Sequence, residues 1–127
     1  MIKLLLDVDT GIDDALALFY LAHAQKKGEI EILGSTTVGG NVEVGQTTLN
    51  TLKIWEMLEL DIPVAAGAKQ PLIVPLNPAP YVHGDDGLGN TFLSAPKNGP
   101  SEESAVEMIL RLSHEYAGEL TLLTTAP

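Results

Sequence analysis

The chain contains no cysteine. That absence excludes disulfide frameworks, thiolate zinc sites and a cysteine nucleophile. Basic residues are scarce: seven Lys and Arg stand against 17 Asp and Glu, a formal net charge of −10. Nucleic-acid backbones and anionic membranes attract clustered cations, so neither is an expected partner. Long apolar runs are missing too. The longest near the start is Leu4-Leu5-Leu6, too short for a signal-peptide core or a membrane span. A cytoplasmic protein is the default expectation. Apolar residues at 45% and charged residues at 19% give a globular balance, and 127 residues suit a single domain over 1–127.

What is present is an alternation of short apolar runs and helical patterns. Ile2-Lys3-Leu4-Leu5-Leu6 predicts a buried strand that breaks at Asp7-Val8-Asp9-Thr10-Gly11. Helix formers from Asp13 onward predict a helix, apolar almost all round and therefore well buried, closed by Lys26-Lys27-Gly28. Ile30 to Val38 reads as a second strand ending at Gly39-Gly40-Asn41. Val44, Thr48, Leu52, Trp55 and Leu58 recur at helical spacing and give a second helix with one apolar face. Trp55, Met57 and Met108 read as packing residues. Asp61 to Gly67 holds a short third strand. Residues 68–100 form a proline-rich excursion without periodicity, a length of loop that is usually functional or disordered. Ser101-Glu102-Glu103-Ser104 opens a third helix along Val106, Ile109, Leu110 and Ser113, and Leu120 to Thr125 makes a fourth strand. The fold class is therefore α/β: an open, mostly parallel sheet with flanking helices, Rossmann-like in its β-α-β units. Ligands bind such sheets beyond the carboxyl ends of the strands. Those ends are 7–14, 38–41, 66–69 and 124–127.

Asp7, Asp9, Asp13 and Asp14 crowd the first of these ends. Helix capping is worth about 1 kcal/mol and the helix dipole about 0.3–1 kcal/mol per charge. Two like charges about 4 Å apart repel by roughly 4 kcal/mol at an effective dielectric of about 20. Helix effects therefore excuse one or two of these acids, not four. No Lys or Arg lies between Lys3 and Lys26, so a hard divalent cation is the natural counter-charge. An EF-hand loop starting at Asp7 would need Gly and Glu where Ile12 and Leu18 stand, and fails. A phosphatase of the haloacid-dehalogenase type would use Asp7 as nucleophile in Asp7-Val8-Asp9. That alternative leaves Asp13 and Asp14 without a task.

The stretch Asp7-Val8-Asp9-Thr10-Gly11-Ile12-Asp13-Asp14-Ala15 resembles the N-terminal signature of the nucleoside hydrolases, the inosine-uridine-preferring type included. The resemblance continues through Thr36-Thr37-Val38-Gly39-Gly40-Asn41-Val42, Val82-His83-Gly84 with Gly87-Leu88-Gly89, and Thr125-Ala126-Pro127. It implies calcium-dependent hydrolysis of the N-glycosidic bond of ribonucleosides, and a nucleoside as the small-molecule partner. Asp9 and Asp14 would be carboxylate ligands of Ca2+, with the main-chain carbonyl of Thr125 as a further ligand. Asp9 would also take the proton from the attacking water. Asp13 would hydrogen-bond a ribose hydroxyl, Asn41 would reach the sugar side, and Asp7 would support the cluster as an acceptor behind it. His83 would stand in the pocket on a mobile stretch, as a base contact or a proton relay.

Other candidates carry bland readings. His23 and His114 match no site block and read as structural. Asp85 and Asp86 read as solvated loop charges. Gly84 to Gly89 follows no strand and opens no helix, so it is not a phosphate loop. Family members are considerably longer than 127 residues, which implies further ligands and ribose contacts beyond Pro127. The chain is expected to be an N-terminal portion, incomplete as a fold, inactive by itself and homo-oligomeric when complete. A non-catalytic calcium- or ribose-binding module is the alternative from a different class.

Overall fold

A computed structural model describes residues 1–127. Its elements run β1 (Ile2–Val8), α1 (Ile12–Lys26), β2 (Ile30–Thr37), α2 (Val44–Met57), β3 (Val64–Ala66), α3 (Pro80–His83), α4 (Ala105–Glu115) and β4 (Leu120–Thr124). The four strands pair in the order β3-β2-β1-β4, every pair parallel. Parallel strands need covering on both faces, and β1 shows how its residues answer that need. Leu4, Leu6 and Val8 point into a core shared with Ala15 and Leu18 of α1 and Leu52, Ile54 and Trp55 of α2. Leu5 points the other way, against Met108 and Leu112 of α4. The α/β architecture expected from the alternation is the one observed.

Several expectations need correcting. The α1 helix is not buried all round: Leu18 is fully enclosed, while Leu16 and Tyr20 are 71% and 73% exposed. Only Asp14, Ala15, Leu18, Ala22 and Ala24 of α1 are buried. Met57 is half exposed rather than packed, whereas Met108 is enclosed. The helix α4 begins at Ser104, whose side chain accepts from the Glu107 amide while Glu107 reaches back to the Ser104 amide. It buries Ala105, Met108 and Leu112, not the stripe through Val106 and Leu110. The excursion 68–100 contains the short helix α3. No helix is long and apolar enough to cross a membrane.

The strand order fixes where a ligand can sit. The chain steps outward from β1 to β2 to β3, then returns to pair β4 on the opposite side of β1. Strand order reverses at β1, and crevices at such reversals are where open α/β sheets hold ligands.

Candidate active site

The acidic signature lies at that reversal. It starts where β1 runs out at Val8 and ends in the first turn of α1. Asp9 and Asp14 are both buried, at 5% and 3% exposure. No Lys or Arg forms an ion pair with either. Their partners are neutral donors. Asn41 N–H donates to Asp9 Oδ2 at 2.9 Å, and Asn41 Nδ2 donates to the Asp9 carbonyl at 3.1 Å and to Asp14 Oδ2 at 3.4 Å. Gly11 N–H donates to Asp14 Oδ2 at 3.3 Å, and Thr125 Oγ1 donates to Asp14 Oδ1 at 2.6 Å. Burial pushes the Asp9 carboxyl up to about 7; the Asn41 amide opposes that rise and the neighbouring Asp14 charge adds to it.

Two glycines let this packing happen. A Cβ on Gly40 would collide with the Asp9 carboxylate, and one on Gly11 would meet both His83 Nδ1 and Asn41 Nδ2. Neither glycine has a positive φ, so their use is close approach rather than conformational freedom.

The signature residues divide by position. Thr125 reaches the pair from β4, and its N–H donates to the Asp7 carbonyl at 3.0 Å. The Asp7 side chain accepts from Thr36 Oγ1 at 2.6 Å and has no hydrogen bond to Asp9 or Asp14. That engagement also counts against Asp7 as a free nucleophile. Asp13 is 80% exposed and lies 3.9 Å from His83 Nδ1. His83 ends α3, and its Nδ1 accepts from Ile12 N–H at 3.1 Å. A neutral ring in that bond carries its proton on Nε2. Asn41 is thus a clamp on the two aspartates. His23 and His114 lie exposed on α1 and α4, away from the site.

The loop after His83 is not a free stretch with solvated charges. Asp86 accepts from the amides of Leu88, Asn90 and Phe92 at 2.8, 2.7 and 3.0 Å. Burial alone would raise the Asp86 carboxyl, but these three amides hold it below its ordinary value. Asp85 is exposed, as expected. Residues that the sequence did not mark also build the site. Thr10 is fully buried and shares a 2.8 Å hydroxyl bond with Thr51. Asn50, also fully buried, bonds the Thr10 carbonyl. Thr51 lies inside the apolar stripe of α2, a polar residue that was an available signal; Asn50 lies outside that stripe and carried none.

As a donor set, the pair suits a hard cation in kind: two buried carboxylates, the Thr125 hydroxyl oxygen bonded to one of them, and no competing base. It is not a full cage. No third His, Cys, Asp or Glu joins to make a metal-ligating group of three.

Comparison with known proteins places this geometry. The family model for inosine-uridine preferring nucleoside hydrolase matches residues 4–127. A relative from Arabidopsis thaliana, uridine nucleosidase 1, is 42% identical over 98% of this chain and 37% of its own length. A solved plant nucleoside hydrolase superposes with a TM-score of 0.89 at 35% identity, covering 98% of this chain and 39% of that one. A purine-preferring ribonucleoside hydrolase from Gardnerella vaginalis superposes at 0.88 and 31% identity, covering 98% and 40%. The chain therefore spans about two fifths of the length of the relatives it matches. With its signature, its fold and residues 4–127 inside one family model, the chain belongs to the inosine-uridine preferring nucleoside hydrolase family.

Proposed function

We propose that this chain supplies the water-activating edge of a nucleoside N-ribohydrolase, an enzyme that splits ribonucleosides into ribose and free base. The observation that carries the reading is the buried Asp9–Asp14 pair, at 5% and 3% exposure, with no basic partner at the point where strand order reverses. Asp9, Asp14 and the Thr125 carbonyl would hold Ca2+, which would lower the pKa of the attacking water and help to seat the ribose diol. Asp9 takes a proton from that water as general base. Asn41 keeps Asp9 and Asp14 facing the same space. Asp13, exposed on the first turn of α1, takes a ribose hydroxyl. Attack at the anomeric carbon passes through an oxocarbenium-like state, and the carboxylates stabilise its charge. His83 offers an Nε2 proton on the pocket side, because Nδ1 is already used by Ile12 N–H.

The test has two arms. Calorimetric titration of the chain with calcium is expected to show one site that Asp9→Asn or Asp14→Asn abolishes. Free ribose is then measured from inosine and uridine with this chain joined to the C-terminal region of a relative. Release that stops on chelation and on Asp9→Asn is the expected result. Release indifferent to both overturns the reading. Turnover of a phosphate monoester with phosphate trapped on Asp7 would favour the phosphatase instead.

A further inference from the structure

Asn50 sits in the middle of α2 and is completely buried. A buried amide costs free energy unless its polar atoms are bonded. Here they are. Nδ2 donates to the Thr10 carbonyl at 3.1 Å and to the Asp86 carbonyl at 2.8 Å, while Oδ1 accepts from Gln46 Nε2 at 2.8 Å.

Those two carbonyls belong to opposite halves of the site. Thr10 follows Asp9 in the turn after β1, and Asp86 lies in the loop that starts at His83. That loop behaves as one piece. The Asp86 carboxylate gathers three amides within it, and Gly89 N–H donates to the His83 carbonyl at 2.7 Å. Gly87 has φ +76, and a Cβ there would lie 2.8 Å from Asn50 Nδ2. The glycine is what lets the loop backbone reach the amide. Bridging two carbonyls from one atom takes two protons, and a primary amide nitrogen supplies them without charge. A hydroxyl has one, and an apolar side chain leaves both carbonyls without a donor.

We propose that Asn50 is a positioning residue of the active site: by fastening the Thr10 and Asp86 carbonyls to one amide, it sets where His83 stands relative to Asp9, Asp13 and Asp14. It touches neither water nor nucleoside. The proposal rests on the reading of the acidic edge as the active site, yet its test requires no turnover.

The test uses the 15N-labelled chain and the variant Asn50→Asp, which keeps the shape and removes both donors. Amides of Leu88, Gly89 and Asn90 are expected to exchange about tenfold or more faster. The His83 ring is expected to leave a single Nε2–H pattern for an average of both tautomers. Leu5 and Leu6 amides in the central strand keep their protection. Unchanged loop exchange with an unchanged His83 pattern overturns the proposal. So does a loss spread equally into the central strand, which marks Asn50 as a packing residue only. Gly87→Ala attacks the same link from the loop side, and Gly89→Ala, with a similar φ of +69 and an added methyl that meets only Ile12 Cδ1 at 3.8 Å, reads the effect of backbone strain alone. If Asn50→Asp does not fold, loop-confined loss greater in Gly87→Ala than in Gly89→Ala supports the proposal and equal loss overturns it. Absent ribose release with these signatures intact would fault the enzymatic reading, not the link.

Discussion

Asp9 is held where its ionisation is resisted, and this has a measurable consequence. Its ordinary value of 3.8 rises to about 7 in the folded chain, chiefly through burial. Between those values the folded state binds more protons than the unfolded one, so this residue's contribution to stability falls as pH rises from about 4 to about 7 and is level above. Urea unfolding in chelator, compared with Asp9→Asn, is expected to show the native chain losing ground to the variant between about pH 4 and about pH 7. A constant difference across that window would mean that Asp9 does not titrate there. Gly40→Ala places a methyl against the same carboxylate. It is expected to cost about 1–3 kcal/mol of stability and to weaken calcium binding at least about tenfold, roughly 1.4 kcal/mol. Unaltered affinity by calorimetry would show that Asp9 shifts aside freely. At this scale the acids were legible, because four carboxylates without a base demand an explanation. The glycines' purpose was not. Gly39-Gly40 reads as a turn, and only the fold brings the Asp9 side chain up against it.

Among the elements, α4 teaches most about what a pattern can hide. Its sequence is apolar on two stripes, and Val106, Ile109 and Leu110 make as good a face as Ala105, Met108 and Leu112. Steric fit decides. A Cβ on Gly34 of β2 would lie 2.8 Å from Met108 Sδ, and one on Gly67 would lie 2.9 Å from the Ala105 methyl. The stripe that fits against glycine wins, and Val106 and Leu110 stay 65% and 54% exposed. Similar logic applies to α1, where apolar residues all round did not mean burial all round. The start of α4 was clearer, since a Ser with Glu three positions on is a chemical signal rather than a volumetric one. Ser104→Ala removes that cap and is expected to lower stability by about 1 kcal/mol, read from the urea midpoint. No loss would mean that the Glu107 carboxylate alone satisfies the helix start.

For the whole molecule, the alternation of strand and helix foretold one sheet edge carrying the site, but not the order of strands. Nothing local in Leu120–Thr124 says that it returns to β1 rather than extending beyond β3. That return brings Thr125 to Asp14, and it leaves two carboxylates without a third metal-ligating side chain. Residues 1–127 alone are accordingly expected to bind calcium weakly and to release no ribose above background. General-acid help to the departing base is typically worth about 10²–10⁴ in rate, and His83 is the one donor proposed for it in this chain. Ribose release by this chain equal to that of the joined protein would show that these residues suffice. The same return sets a timetable for synthesis. Asp14 and Thr125 stand 111 positions apart, and contacts of such separation are the slow ones in folding. As the chain leaves the ribosome, β1, β2 and β3 can assemble while one side of β1 still waits for β4. Cation uptake becomes a clock for the final docking: terbium luminescence at the acidic pair should lag behind the far-ultraviolet signal of the helices, and a nascent chain halted before Leu120 should stay dark.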